Sequence, residues 1–225
     1  MIYNKSPSFV RTKIKICGIT RLEDAQASIQ AGADAIGFMF FKESPRWISP
    51  GIARGIVDRL PPFTTCVGVF VNETVEEIRR VAALCGLGAV QLHGEESPSF
   101  CAELKGLKVV KAFRVRDRSI LNLLPGYRTD AWLLDAYSSS QRGGTGATFN
   151  WEIARDAVQL GTPVLLAGGL SSSNVAEAIR QVRPHAVDVS SGVESAPGIK
   201  DAIKVQSLAR CVAEADEVFR LSPGF

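Results

Sequence analysis

Short runs of β-branched and other apolar residues recur along the chain at roughly 20- to 30-residue intervals, the spacing of strands separated by helical segments. They predict strands over Lys13–Cys17, Ala35–Phe40, Thr65–Val71, Ala89–Leu92, Lys108–Phe113, Ala131–Ala136, Pro163–Ala167 and Ala186–Ser190. Several lack a polar face: Cys66-Val67-Gly68-Val69-Phe70-Val71 is apolar throughout. Strands of that kind are covered on both sides, as parallel strands in α/β folds are. The first strand does alternate. Lys13, Lys15 and Cys17 share one face, opposite Ile14 and Ile16, because successive side chains point to opposite sides of a strand.

Helical patterns fill the gaps. Leu22 to Ile29 is amphipathic, and Gly32 is placed to end it. Thr74-Val75-Glu76-Glu77 offers a capping box before Ile78. Ser173-Asn174 precede another amphipathic start at Val175, and helices are predicted over Ile52–Leu60, Trp151–Leu160 and Lys200–Val218, with a short, weakly signalled one at Ser119–Leu124. Eight strands alternating with about eight helices fit a closed (β/α)8 TIM barrel of the α/β class. The expectation is a single domain over residues 1–225, with residues 1–12 as an N-terminal extension. An open doubly wound sheet is the runner-up. It would more often show GxGxxG after its first strand, where this chain has Gly18-Ile19-Thr20-Arg21.

Composition narrows the function. A formal net charge of +3 with no cluster of basic and aromatic residues argues against nucleic acid as a partner. No stretch approaches the ~20 apolar residues of a membrane span, and the first ten residues lack a signal-peptide core. Five cysteines without a CxxC pair suggest a reducing compartment, so a cytoplasmic protein is expected. Cys66, Cys85, Cys101 and Cys211 fall in apolar periodic segments and read as buried, inert thiols. No spacing resembles a metal site, and no nicotinamide or flavin fingerprint is present, so neither metal nor cofactor is expected. A monomer is the default, because a closed barrel leaves no sheet edge to cover, with a dimer as the alternative.

In a barrel of this kind the chemistry sits at the carboxyl ends of the strands. Those ends offer Cys17, Ser44-Pro45-Arg46 beyond the second strand, His93, Asp135 and Asp188. A thiol, an imidazole and two carboxylates on one rim make an acid/base set. Lys15, on the Cys17 face, is a candidate for drawing that thiol down toward neutrality. On residue grounds Asp135 serves equally as a turn cap, and Arg46 equally as a solvated charge or a bidentate clamp for a carboxylate. Lys111 could form a Schiff base, though a barrel-interior lysine paired with a carboxylate explains it as well. Gly168-Gly169 and Ser190-Ser191-Gly192 follow the seventh and eighth strands, where barrels bind phosphate through backbone N–H groups. Ser138 to Gly146 is a Ser/Gly-rich stretch after the sixth strand, a candidate lid.

Lys15-Ile16-Cys17-Gly18-Ile19-Thr20 resembles the opening signature of the phosphoribosylanthranilate isomerase family of tryptophan biosynthesis. The resemblance continues through Ser44-Pro45-Arg46, Gln91-Leu92-His93-Gly94, Leu133-Leu134-Asp135-Ala136, Gly143-Gly144-Thr145-Gly146, Leu166-Ala167-Gly168-Gly169-Leu170 and Asp188-Val189-Ser190-Ser191-Gly192-Val193-Glu194. It implies a cofactor-independent Amadori rearrangement of a phosphosugar, with Asp135 as general acid and Cys17 as general base. It also implies that Arg46 holds the anthranilate carboxylate and that His93 and Asp188 line the aminoaldose site. Gly168, Gly169, Ser190, Ser191 and Gly192 would bind the phosphate, and Gly144, Thr145 and Gly146 would close over it. Two other readings stand beside it: a sister indole-glycerol-phosphate synthase barrel, which needs a lysine acid and glutamates at the strand ends, and a non-catalytic phosphosugar-binding barrel.

Overall fold

Strands β1 (Lys13–Cys17), β2 (Ala35–Met39), β3 (Thr65–Phe70), β4 (Ala89–Leu92), β5 (Val109–Val115), β6 (Ala131–Ala136), β7 (Val164–Ala167) and β8 (Ala186–Val189) pair in parallel, in chain order, and close into a barrel. The computed structural model describes residues 11–136 and 151–221. The expected lid residues Gly144, Thr145 and Gly146, and the first ten residues of the expected extension, lie outside that set. Helices α1 (Leu22–Gln30), α2 (Pro50–Val57), α3 (Val75–Cys85), α4 (Pro98–Glu103), α5 (Ile120–Leu123), α6 (Trp151–Val158), α7 (Val175–Val182) and α8 (Ala202–Leu221) follow the strands in turn. Among the described residues no helix is long and apolar enough to cross a membrane.

The helices begin where local chemistry satisfies their free N–H groups. Ser49 accepts from the Ile52 N–H ahead of Pro50, and Ser97 accepts from Phe100 ahead of Pro98, each proline standing where no N–H is needed. Thr74 accepts from the Glu77 N–H at 3.2 Å, which is half of the predicted capping box. The reciprocal half is absent. The Glu77 carboxylate is drawn to Arg80, and the Thr74 N–H goes to Glu73 Oε1 instead. In α3 the buried positions Ile78, Val81, Ala82 and Cys85 recur at helical spacing, so the helix lays one apolar stripe on the barrel.

The registers stack the inward side chains in alternate-strand layers. The lowest well-defined layer, from the even strands, is four alanines: Ala35, Ala89, Ala131 and Ala186. Above it come Lys15, Val67, Val110 and Leu165, then Gly37, Gln91, Leu133 and Asp188. Cys17, Val69, Ala112 and Ala167 follow, and Met39, His93, Asp135 and Ser190 form the rim. The interior is therefore apolar and small below, polar above. Ile14 and Ile16 face outward into the core between sheet and helices. A cavity of about 480 Å³ opens at the amino mouth, beside the fully exposed Phe63 and the exposed His185, and reaches through the alanine layer to Lys15 and Gln91.

The predicted bounds of β1, β4 and β6 match, and the other five strands differ by a residue or two at one or both ends. Two larger departures concern polar residues. Lys200, predicted to open the last helix, belongs to a small antiparallel pair, β9 (Glu194–Ala196) with β10 (Ile199–Lys200), reached through a 3-10 turn at Ser191–Val193. Lys111 is paired with a carboxylate as anticipated, Glu96 Oε2 at 2.9 Å, but on the outer face of β5 rather than inside the barrel. There it also donates to the Leu92, Gly94 and Ala112 carbonyls and braces the turn that follows β4.

Candidate active site

At the carboxyl mouth lies a cavity of about 450 Å³. Every predicted site residue among the described ones lines it: Cys17, Arg46, His93, Asp135 and Asp188, together with the Gly168-Gly169 and Ser190-Ser191-Gly192 turns. Met39 and Gln91, which sequence reasoning had not assigned, line it too.

Cys17 ends β1 with its side chain almost wholly buried. Lys15, one inward position below on the same strand, donates to Asp188 Oδ1 at 2.8 Å. Burial alone would lower the pKa of the Lys15 ammonium, but the Asp188 and Cys17 charges outweigh it and raise it. The expectation that Lys15 draws the thiol below its ordinary value needs correction. Burial dominates and pushes the Cys17 thiol up, with Lys15 and Lys200 pulling against it and Asp188 adding to the rise. Cys66, Cys85 and Cys101 are buried as anticipated, and burial pushes Cys66 up to about 11, whereas Cys211, expected to be buried too, is only partly so on the long last helix.

The β9–β10 pair supplies a second layer of charge that the sequence had not revealed. Glu194 takes the Arg46 fork, Nε to Oε1 at 2.9 Å and Nη2 to Oε2 at 2.6 Å. It also takes Lys200 Nζ at 2.8 Å. Lys200 itself donates to the Cys17 carbonyl at 2.6 Å, tying β1 to this hairpin. Burial opposes ionisation of Glu194, but its two cationic partners prevail and lower its pKa to about 2. The signal available in the sequence was Pro197-Gly198, a turn dipeptide between two short runs. Arg46 is therefore not a free loop charge. Its backbone N–H is held by Ser44 Oγ and its guanidinium is aimed by Glu194.

On the far rim His93 Nε2 stands 3.3 Å from Asp135 Oδ2, and Gln91 Nε2 meets His93 Nδ1 at 3.0 Å. At the end of β7, Gly168 and Gly169 have φ of +91° and +65°, backbone that side-chain-bearing residues rarely adopt. Gly192 packs so closely on Leu170 that a Cβ there would collide with its carbonyl oxygen. The two turns thus present bare backbone to the cavity. Among the described residues no group of three or more His, Cys, Asp or Glu side chains is arranged to hold a metal ion.

A closed parallel barrel with acid, thiol and bare-backbone turns at its carboxyl mouth has the layout of a (β/α)8-barrel enzyme acting on a small anionic substrate. The family model for N-(5'-phosphoribosyl)anthranilate (PRA) isomerase matches residues 14–210. The chain belongs to that family. It is 58% identical over 203 residues to the N-(5'-phosphoribosyl)anthranilate isomerase of Trichlorobacter lovleyi, covering 90% of this chain and 98% of that one. The crystal structure of phosphoribosyl anthranilate isomerase from Thermotoga maritima superposes with a TM-score of 0.85 at 44% identity, covering 90% of this chain and 99% of that one. A structure of the isomerase in complex with reduced 1-(o-carboxyphenylamino)-1-deoxyribulose 5-phosphate matches with a TM-score of 0.82 at 43% identity over the same shares.

Proposed function

We propose that the carboxyl-mouth cavity converts N-(5'-phosphoribosyl)anthranilate to 1-(2-carboxyphenylamino)-1-deoxyribulose 5-phosphate, the isomerisation step of tryptophan biosynthesis, with Asp135 as general acid and Cys17 as general base. The carrying observation is that an aspartate on β6 and a thiol on β1 meet in one cavity whose β7 and β8 turns are built of glycine and serine. The relative crystallised with the reduced product analogue supports the substrate class.

Asp135 gives its proton to the furanose ring oxygen as the C1–O bond breaks, leaving a hydroxyl and a Schiff base to the anthranilate nitrogen. Cys17, as thiolate, takes the C2 proton, and the released electron pair forms the C1–C2 double bond of an enolamine. Tautomerisation to the ketone moves a proton from the C2 hydroxyl to C1. Two side chains facing the C1–C2 unit, one at the ring oxygen and one at C2, suffice for these transfers. The Gly168-Gly169 and Ser190-Ser191-Gly192 backbones bind the phosphate. Arg46, whose Nε and Nη2 are engaged by Glu194, offers its Nη1 side to the anthranilate carboxylate. His93 and Asp188 line the sugar.

Anthranilate-fluorescence turnover tests the roles. Cys17→Ala and Asp135→Ala should each lower kcat by roughly 10²- to 10⁴-fold while product affinity stays near that of the parent. Unchanged turnover in both variants overturns the mechanism.

A further inference from the structure

Gln91 is buried one inward position above Ala89 of the alanine layer on β4, with 1% of its surface exposed. Its Nε2 donates to His93 Nδ1 at 3.0 Å, and its Oε1 is buried without a hydrogen-bond partner among the described residues. With Nδ1 accepting, the neutral imidazole carries its hydrogen on Nε2, the nitrogen 3.3 Å from Asp135 Oδ2. Turning the amide over would put Oε1 against Nδ1 and move the ring hydrogen there. It would also strand both amide hydrogens, where now one hydrogen and the oxygen lack partners, and a buried N–H without an acceptor is rarer than an under-satisfied oxygen.

We infer that Gln91 is a positioning residue for the acid step: acting through His93, it holds the ring as the Nε2–H tautomer, so that His93 donates to Oδ2 of Asp135. The inference rests on Asp135 being the general acid. Oδ2 is then an acceptor, and the proton to be delivered sits on Oδ1. When that proton passes to the ring oxygen, the negative charge left on the carboxylate is met at Oδ2 by an N–H already in place. A hydrogen bond to an acceptor that becomes ionised strengthens as the charge forms. It therefore favours the transition state over the bound substrate, and its loss appears in kcat rather than KM. The unpartnered Oε1 is consistent with this assignment: an amide kept only for packing is better replaced by an apolar chain, whereas one kept for its donor tolerates an idle acceptor.

Ring 15N chemical shifts of His93, separated from His185 with a His185→Asn variant, read the tautomer directly. The Nε2–H form is expected in the parent enzyme, and a ring protonated on Nδ1 overturns the inference without any change at Gln91. Gln91→Met keeps the length of the side chain and removes its polar atoms. It should fold at least as stably by urea titration, lose the tautomer bias, and lower kcat about 10- to 100-fold with KM little changed. Full kcat in a folded Gln91→Met enzyme overturns the inference. If that variant does not fold, the tautomer in the parent enzyme decides. Should Asp135→Asn retain turnover, the acid assignment itself falls; should Asp135→Asn be inactive while the parent ring carries its hydrogen on Nδ1, only the role of Gln91 falls.

Discussion

Lys15 Nζ and Asp188 Oδ1 stand 2.8 Å apart inside the barrel, both side chains at most 8% exposed, beneath the Cys17 thiol. The pair fixes a positive charge under the proposed base while its negative partner sits in the adjoining layer. The thiol feels both, and burial decides the balance.

Because burial raises the Cys17 thiol, the thiolate required for proton abstraction grows in only on the alkaline side of its ordinary value of about 8.5. The free-enzyme profile of kcat/KM should therefore climb through neutral pH toward that range, and alkylation of Cys17 by iodoacetamide should follow the same curve. A midpoint below about 8 in both measurements contradicts the assigned ionisation.

Glu194 couples chemistry to folding. Its carboxyl titrates at about 2 in the folded chain, against an ordinary 4.5. A depressed folded value contributes stability that is present above the ordinary value and lost as pH falls toward 2, on the order of 3 kcal/mol in this nearly inaccessible side chain. Glu194→Gln should lose that amount at pH 7 and nothing at pH 2, flattening the acid limb of a urea-monitored stability curve. The variant should also raise KM, because Arg46 loses the group that aims it.

Gly192→Ala should disable the phosphate turn without unfolding the barrel. The added methyl meets the Leu170 carbonyl oxygen, so one of the two turns must shift. We expect KM to rise tenfold or more with a smaller change in kcat, and inorganic phosphate to lose its competition to the same extent. The scale is that of about one backbone N–H bond to a charged group.

Lys111 is structural in this arrangement. Its ammonium is enclosed by Glu96 and three carbonyls, all beneath the turn after β4. Lys111→Met leaves a buried carboxylate without its cation and should cost about 3–5 kcal/mol by urea denaturation. Borohydride treatment during turnover should trap no substrate on this lysine.

The barrel itself was legible because parallel strands covered on both faces announce themselves as apolar runs, and the spacing between them leaves room for one helix each. The rim residues were legible for the same reason: once a strand end is located, Cys17, His93, Asp135 and Asp188 follow. The hairpin carrying Glu194 and Lys200 was not, because strands of three and two residues leave no periodicity to detect. Lys111 was assigned to the wrong face because a charged residue inside a strand suggests the polar interior, whereas here a single carboxylate and several carbonyls make the outer face hospitable to it. Gln91, within the Gln91-Leu92-His93-Gly94 run, carried no role of its own because an uncharged amide in an apolar strand gives no sign of what it will touch. The influence of burial on Cys17 escaped for a different reason, since desolvation belongs to the assembled barrel and not to the neighbours of the thiol in sequence.

Gln91 lines both cavities and stands between the two mouths of the barrel, one layer above Lys15, Val67, Val110 and Leu165. Lys15 extends upward to Asp188, so the space beneath it, ringed by the four alanines, opens away from the reaction. Larger apolar side chains introduced there would thicken the floor of the barrel while the proton-transfer groups kept their places. The end that confers robustness and the end that confers reactivity can thus vary on separate evolutionary schedules, and a more heat-resistant form of this enzyme need not be a slower one.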